Sequence, residues 1–268
     1  MFEAIFERAR NDHRAAFIPY VMAGDPDLPT TESIMHALAG AGADAIELGI
    51  PYGDPLADGP TIAAAASRAL KRGVTINDVL ALVRRFRERG GAPVVLFTYY
   101  NPVLQYGIER FARDAAAAGA CAAIVPDIAL EESADLSATL ANAGLDMPLL
   151  VAPSTPRERA KRIAEQASGF IYVVSRLGVT GANTAPDTTM LRTQIAMLRG
   201  VTEKPLAVGF GISTPAHSAA VAPLADGIIV GSAVIDAYQG LSGDAATKHV
   251  AEFAKGLVAA ARYAQASA

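Results

Sequence analysis

Eight short, almost wholly apolar segments separated by amphipathic stretches predict a (β/α)8 TIM barrel with an additional N-terminal helix. Strands that are buried on both faces read as continuous hydrophobic runs, which is typical of a parallel sheet covered by helices. The length of 268 residues suits a single domain, residues 1–268, because barrels of this class take about 250 residues. An open doubly wound sheet is the alternative, but no G-x-G-x-x-G motif follows the first predicted strand.

The predicted helices and strands alternate along the whole chain. A first helix is predicted over residues 2–11, where apolar side chains recur at helical spacing. Later helices are predicted from Thr31 into the glycine-terminated AGAGA sequence, and over residues 60–70 and 77–89. The eight predicted strands are short and apolar, and they cover residues 15–23, 43–50, 93–100, 121–127, 147–153, 169–175, 204–211 and 226–233.

Composition and charge exclude several classes of partner. The net charge of −4 and the pI of about 5.6 argue against nucleic acid, because a phosphate backbone demands a basic protein face. No apolar run approaches the ~20 residues of a membrane span, and the N-terminus carries acids, unlike a secretory signal. We therefore expect a cytoplasmic protein that binds neither nucleic acid nor membrane. The single Cys121 lies in an apolar segment and is expected to be a buried thiol.

Three acidic residues lie near or after the end of the second predicted strand, in the stretch ELGIPYGDPLADGP, residues 47–60: Glu47 lies near the end of the strand, and Asp54 and Asp58 follow it. Proline and glycine fix the backbone of this loop, so its shape is specified by the sequence. Carboxylates placed this close together repel one another, and carboxylates with altered proton affinity collect at functional sites. Asp54 alone is expected to cap backbone N–H groups of the turn. Glu47 and Asp58 are predicted to be catalytic.

Active sites of this fold lie at the carboxyl ends of the barrel strands. Asp127, which follows the fourth strand, has an alternative role as cap of a helix beginning at Leu130. Tyr172 lies inside the sixth strand and is expected to be buried. The polar residues and glycines that the strand-end rule selects are Glu47, Asp58, Tyr99, Tyr100, Asn101, Asp127, Tyr172, Ser175, Arg176, Gly211 and Ser232.

Glycine-rich segments after the last three strands predict a phosphate site. The sequences SRLGVTGAN, GFGIST and VGSAV stand where barrels of this class commonly bind phosphate. Glycine allows backbone N–H groups to approach an anion, and Ser232 opens a predicted helix whose N-terminus favours negative charge. Residues 177–190, which have few apolar anchors, are predicted to form a lid.

Histidine and lysine chemistry are disfavoured at the predicted site. The four histidines are scattered, and none falls at the carboxyl end of a strand, which argues against a histidine metal site or a Ser/His nucleophile. The strand ends present no lysine, which argues against a Schiff-base aldolase. Acid–base chemistry by carboxylates on a phosphorylated substrate, without a metal, remains.

The chain resembles the tryptophan synthase alpha subunit family over nearly its full length. ELGIPYGDPLADGP matches the signature of that family, and FIPYVMAGDP, YYNP, VPDIALEES, SRLGVTG, GFGIS and VGSAV match in the same order. Gly53 stands where a serine is usual, and Leu177 enlarges a residue of the lid. The resemblance implies retro-aldol cleavage of indole-3-glycerol phosphate to indole and glyceraldehyde 3-phosphate.

The resemblance also implies roles for individual residues. Glu47 serves as acid and base, and ionised Asp58 stabilises positive charge on the indole nitrogen. Thr180 helps to position Asp58. The residues implied to contact substrate are Tyr99, Asp127, Tyr172, Thr180 and Phe210, and those implied to bind its phosphate are Gly181, Gly211, Gly231 and Ser232.

A partner protein is implied as well. In the family, a beta subunit that carries pyridoxal phosphate receives the indole, so an alpha2-beta2 tetramer is expected, with residues 51–58 and 101–106 facing the partner. This chain is expected to hold no cofactor. The alternatives are a stand-alone lyase and a phosphate-binding regulatory barrel. A sugar-phosphate isomerase barrel is disfavoured by the acidic loop.

Overall fold

The computed structural model describes residues 1–175, 187–209 and 211–263. Eight parallel strands form one sheet in the order β4-β3-β2-β1-β8-β7-β6-β5, which is the order of a barrel. The strands are β1 (Ala16–Met22), β2 (Ile46–Gly49), β3 (Val94–Phe97), β4 (Ala120–Ile124), β5 (Leu149–Val151), β6 (Ile171–Val174), β7 (Leu206–Gly209) and β8 (Gly227–Val230).

Strands β4 and β5 close the barrel through one residue that precedes β5. Asp146 forms an isolated parallel bridge with Ala122. The Asp146 N–H donates to the Cys121 carbonyl at 3.0 Å, and the Ala123 N–H donates to the Asp146 carbonyl at 3.0 Å. The predicted (β/α)8 barrel is therefore confirmed. Treatment of residues 1–268 as one domain stays a prediction, since the last five residues lie outside the described ranges.

Helices cover the outside of the sheet, and most strands are followed by one or two of them. In the described ranges they are α1 (Phe2–Asn11), α2 (Leu28–Gly40), α3 (Pro60–Lys71), α4 (Ile76–Glu88), α5 (Tyr100–Tyr106), α6 (Ile108–Ala118), α7 (Ala134–Asn142), α8 (Arg157–Gln166), α9 (Thr188–Arg199), α10 (Pro215–Val221), α11 (Ser232–Tyr238) and α12 (Gly243–Ala260), with a 3-10 turn at Leu130–Glu132. None of these helices is both long and apolar enough to cross a bilayer.

The additional helix α1 covers the amino-terminal end of the barrel. Phe2 and Phe6 pack edge-on against Phe170, with ring centroids 5.1 and 5.9 Å apart. Phe6 also lies so close to Gly227 that a Cβ there would be 2.8 Å from its ring. Because Phe170 and Gly227 stand at the starts of β6 and β8, this aromatic cluster leaves the opposite end of the barrel for a site.

Several predicted boundaries are wrong because apolar composition continues past the ends of strands. Tyr100, which was predicted inside a strand, begins α5, whereas Ser232 begins α11 as predicted, so the run assigned to the eighth strand ends before it. The helix predicted from Thr31 begins at Leu28, since the Asp27 carboxylate accepts from the Thr30 N–H at 2.7 Å and caps it. Cys121 is buried as predicted: its thiol donates to the Val94 carbonyl, and burial raises its pKa to about 12.

Candidate active site

Glu47 lies in the middle of β2 with its side chain inside the barrel. The residue is 2% exposed, and its Oε2 accepts no hydrogen bond from any described residue. Burial disfavours the carboxylate form, and the neighbouring Asp58 charge disfavours it further, so the pKa of Glu47 is raised to about 8. At neutral pH this group is a carboxylic acid that can donate a proton.

Asp58 reaches the same region from the loop between β2 and α3. Burial raises its pKa to about 6, while hydrogen bonding with the Tyr99 hydroxyl works in the opposite direction. Tyr99 follows β3, and its hydroxyl also accepts from the Ala57 N–H at 3.2 Å, which ties the acidic loop to the next strand end. At pH 7 the pair therefore holds one proton, on Glu47, with Asp58 ionised.

Aromatic rings form one wall beside the two acids. Tyr99 packs against Tyr52, with centroids 5.4 Å apart, and against Phe97 at 6.2 Å. Phe97 in turn meets Tyr20 edge-on at 5.8 Å. The rings of Phe97, Tyr99 and Tyr20 are buried, so they provide an apolar surface suited to a flat aromatic ligand.

Two tyrosines face the acids from opposite sides of the barrel. Tyr172 lies on β6, on the opposite side of the barrel from β2. Burial raises the pKa of Tyr172, and the charges of Glu47 and Asp58 raise it further, so all three side chains lie in the barrel interior. Burial of Tyr172 is as predicted. The same three causes, burial first, then Asp58 and Glu47, raise the pKa of Tyr20.

Tyr20 was missed by the sequence analysis. It aligns with Glu47 in the register of β1 and β2, and register partners of neighbouring strands face the same side. In the sequence it is one residue of an apolar strand without a polar loop beside it, so nothing marks it as part of a site. Pairing between strands that are distant in the chain decides its neighbours.

The predicted phosphate residues that the structure describes follow two adjacent strands. Gly211 comes after β7 and has a φ of +78°, in the left-handed region that favours glycine. Gly231 and Ser232 come after β8, which pairs with β7, and Ser232 begins α11. The structure thus brings these three residues to one side of the barrel mouth. Thr180, Gly181 and Phe210, with Arg176 and Leu177, lie outside the described residues.

The end of the predicted lid overlaps the start of α9. Residues 188–190 form the first turn of α9, which Asp187 caps by accepting from Thr189 N–H at 2.9 Å and Met190 N–H at 3.1 Å. The rest of the predicted lid, through residue 186, is outside the described ranges. Residues 188–190 are therefore helical, and the lid itself stays a prediction.

Asp127 has a different capping role from the one expected. Its carboxylate accepts from the Tyr100 N–H at 2.9 Å, so it binds the first turn of α5, while the 3-10 turn at Leu130 has no side-chain cap. Asp127 is exposed, and its contact with substrate stays a prediction. Asn101 donates to the Tyr52 hydroxyl at 3.3 Å, and the Ser175 hydroxyl donates to the Gly209 carbonyl at 2.9 Å, so both support neighbouring loops.

The chemistry of the arrangement is proton transfer beside an aromatic ligand. A buried acid and a second, ionised carboxylate approach the same space, which suits donation of a proton and stabilisation of the cation that results. No group of His, Cys, Asp and Glu side chains within the described ranges is arranged to hold a metal ion.

Comparison with known proteins extends over almost the entire chain. The family model described as "Tryptophan synthase alpha chain" matches residues 6–265. The tryptophan synthase alpha chain of a Picosynechococcus species is 51% identical over 231 residues, covering 86% of this chain and 87% of that protein. That of Gloeobacter violaceus is 49% identical over 255 residues, covering 94% and 92%.

Solved structures agree with the sequence relatives. A structure of Mycobacterium tuberculosis tryptophan synthase superposes with a TM-score of 0.91 at 38% identity, covering 98% of both chains. A crystal structure of the tryptophan synthase alpha chain from Legionella pneumophila superposes with a TM-score of 0.85 at 34% identity, covering 97% of this chain and 96% of that one.

Proposed function

The chain belongs to the tryptophan synthase alpha chain family, and on that basis we propose that Glu47 and Asp58 carry out its chemistry. The activity is the retro-aldol cleavage of indole-3-glycerol phosphate to indole and glyceraldehyde 3-phosphate, a carbon–carbon lyase reaction of tryptophan biosynthesis. The observation that supports the residue assignment is the burial of two carboxyl groups in the same region, with no described hydrogen-bond donor to Glu47 Oε2. Burial and the Asp58 charge raise the pKa of Glu47 to about 8, and burial raises that of Asp58 to about 6, which favours Glu47 as the acid and Asp58 as the anion.

The first step is proton donation to the ring. The Glu47 carboxylic acid gives its proton to C3 of the indole, and the resulting positive charge is carried by the ring nitrogen. Asp58, as a carboxylate, accepts a hydrogen bond from that nitrogen and stabilises the charge. The aromatic wall around Tyr99 holds the ring away from water, where such an interaction is strongest.

In the second step Glu47 takes up a different proton, that of a substrate hydroxyl, while the first proton stays on C3. The Glu47 carboxylate now removes the proton from the hydroxyl group on the carbon attached to C3. The bond between that carbon and C3 breaks, its electron pair returns to the ring and cancels the nitrogen charge, and the released carbon becomes the aldehyde of glyceraldehyde 3-phosphate. Glu47 ends protonated, ready for the next turnover.

The remaining contacts with substrate follow the same assignment. Tyr99 and Tyr172 face the aromatic region, and the positions of Gly211, Gly231 and Ser232 on neighbouring strand ends support a common phosphate site. The full proposed set is Tyr99, Asp127, Tyr172, Thr180 and Phe210 for the organic part of the substrate, and Gly181, Gly211, Gly231 and Ser232 for its phosphate.

A partner subunit is part of the proposal. Two leucines are exposed in the segments expected to face it: Leu56 at 72% in the loop after β2 and Leu104 at 46% in α5. Apolar side chains in this position suit burial against another protein. We propose a beta subunit that binds pyridoxal phosphate, in an alpha2-beta2 tetramer located in the cytoplasm. A stand-alone lyase is the alternative, because the acids lie within this chain.

Indole release from indole-3-glycerol phosphate, by the purified chain alone and with a tryptophan synthase beta subunit, tests the proposal. Slow turnover that rises sharply with the beta subunit supports the subunit assignment, and fast turnover alone supports the stand-alone lyase. Absence of turnover under both conditions, with substrate bound, contradicts the catalytic roles and leaves the phosphate-binding regulatory barrel.

A further inference from the structure

We propose that the Tyr20 hydroxyl is a substrate-contacting group that donates a hydrogen bond to a hydroxyl oxygen of the glycerol chain. The inference deepens the proposed function and rests on it. Tyr20 is 3% exposed, and its hydroxyl has no hydrogen-bond partner within the part of the chain that the structure describes. A buried hydroxyl without a partner costs free energy, so a bound molecule that supplies one is favoured.

The hydroxyl of Tyr20 occupies space that glycine leaves open. A Cβ on Gly49 would lie 2.1 Å from that oxygen, so only glycine at this position admits the tyrosine. Gly49 is two residues beyond Glu47 on β2, and alternate residues of a strand face the same side. The Tyr20 hydroxyl therefore lies inside the barrel, closer than the Glu47 carboxyl to the carboxyl-terminal ends of the strands.

The same arrangement occurs on the opposite side of the barrel. Tyr172 aligns with Ala207 in register, and a Cβ on Gly209, two residues further on, would lie 2.3 Å from the Tyr172 hydroxyl. Each tyrosine thus reaches over the glycine two positions beyond its register partner. Tyr172 is already assigned to the substrate, and its geometric counterpart is Tyr20.

Tyr20 lies along the path that the substrate chain must take. Its Cβ is 3.8 Å from where a Cβ on Gly231 would be, beside the proposed phosphate site, while its ring extends toward Gly49 and the acids. The glycerol chain joins the phosphate to the indole ring, so it passes along this ring. Burial, followed by the charges of Asp58 and Glu47, raises the pKa of Tyr20, so its hydroxyl is protonated and can donate, and the chain hydroxyls are its natural acceptors.

The test compares Tyr20→Phe with wild type, using two ligands. Turnover of indole-3-glycerol phosphate is measured first, and we expect kcat/KM to fall about tenfold, the effect of one lost hydrogen bond. Dissociation constants are then measured in the Glu47→Gln background for indole-3-glycerol phosphate and for 3-(indol-3-yl)propyl phosphate, which lacks the chain hydroxyls. We expect Tyr20→Phe to raise the dissociation constant of the first ligand about fivefold to tenfold and to leave that of the second within about twofold of its value without the substitution.

The matched control is Tyr238→Phe, which removes a tyrosine hydroxyl that is equally buried, at the end of α11. We expect it to leave both dissociation constants unchanged. Equal weakening of the two ligands by Tyr20→Phe, or no weakening of either, overturns the inference. A shift in the pH profile without ligand discrimination also overturns it, because Tyr20 would then act on Glu47. If wild type itself releases no indole, the proposed function fails first.

Discussion

Two buried carboxyl groups, one just before β2 and one within it, have opposite surroundings. Asp44, just before β2, accepts from both terminal nitrogens of Arg14 at 2.5 and 2.9 Å and from the Phe17 N–H at 2.9 Å. Glu47, three residues on, is as deeply buried, but its Oε2 has no hydrogen-bond donor among the described residues. Asp226, before β8, resembles Asp44: it accepts from the Leu206 N–H at 2.7 Å.

Buried acids stabilise the fold at the amino-terminal end of the barrel and are placed for chemistry toward the carboxyl-terminal end. Carboxyl groups at the amino-terminal end are paired with arginines and hydrogen-bonded, so they connect α1 and the strand starts. The carboxyl-terminal end leaves Glu47 desolvated and unpaired, which raises its pKa and costs stability whenever the group must ionise. Burial is common to both ends, and the presence or absence of a partner decides what a buried acid does.

The largest expected effect is that of Glu47→Gln. The amide keeps the shape of the carboxyl group but cannot donate or remove a proton, so kcat should fall by roughly 10³-fold or more. Because the folded protein keeps this group neutral at pH 7 while the unfolded wild type ionises it, the variant, which cannot ionise, should have a free energy of unfolding higher by roughly 3 kcal/mol. Steady-state indole release and thermal unfolding measure the two quantities. Turnover near the wild-type rate would remove Glu47 from its role.

Asp58→Asn should have the next largest effect. An amide cannot stabilise the positive ring nitrogen as a carboxylate does, and kcat should fall about 10²- to 10³-fold. The isosteric change leaves the loop contact with Tyr99 available, so a substrate analogue should still bind. Parallel measurement of kcat and of analogue binding checks this. Kinetics close to wild type would make Asp58 a structural acid of the loop.

Asp44→Asn tests the opposite end of the barrel. It removes the buried anion that contacts the largely buried Arg14 guanidinium most closely and leaves only the exposed Asp12 at 3.4 Å, so the protein should lose roughly 3 kcal/mol of unfolding free energy. Turnover of the folded enzyme should stay within about twofold of wild type, since the group lies at the far end from the site. Denaturant titration with activity assays below the transition measures both. A large loss of kcat in fully folded protein would contradict a purely structural role for Asp44.

The dependence of stability on pH should differ between wild type and Glu47→Gln. The pKa of Glu47 is raised in the folded state, to about 8, so that state holds a proton that the unfolded chain has released. The contribution of this proton to the free energy of unfolding is fully present below the ordinary carboxyl pKa and is lost as pH rises toward 8. Between pH 5.5 and 7, wild type should lose about 2 kcal/mol of unfolding free energy relative to the variant. Parallel curves would show that Glu47 is ionised when buried.

The smallest effect is the shape of the pH–rate profile. Because the pKa of Asp58 is raised to about 6 and that of Glu47 to about 8, kcat/KM should be highest between these values. It should fall about tenfold for each pH unit beyond either limit, as Asp58 gains a proton or Glu47 loses one. Indole release at fixed ionic strength from pH 5 to 9 measures it. A flat profile would contradict the assigned protonation states.

Much of the fold followed from local sequence. Continuous apolar runs predicted all eight strands, because a strand buried on both faces needs no alternation of polar residues. Element ends were less accurate: Tyr100 is helical although it continues an apolar run, since hydrogen bonding, not hydrophobicity, decides where a strand stops. Asp27 was not predicted as a helix cap, because its role depends on the hydrogen bond that its carboxylate accepts and not on hydrophobicity.

The sequence by itself determined the barrel, the order of its elements and the position of the acids, because each depends on residues close together in the chain. Tertiary structure alone decided that Asp127 binds the first turn of α5 and that Tyr20 stands over Gly49 beside Glu47. It also decided that Glu47 has no partner among the described residues while Asp44 has three donors. The physical reason is that burial and pairing are properties of the register between strands, which joins residues that the chain itself keeps apart.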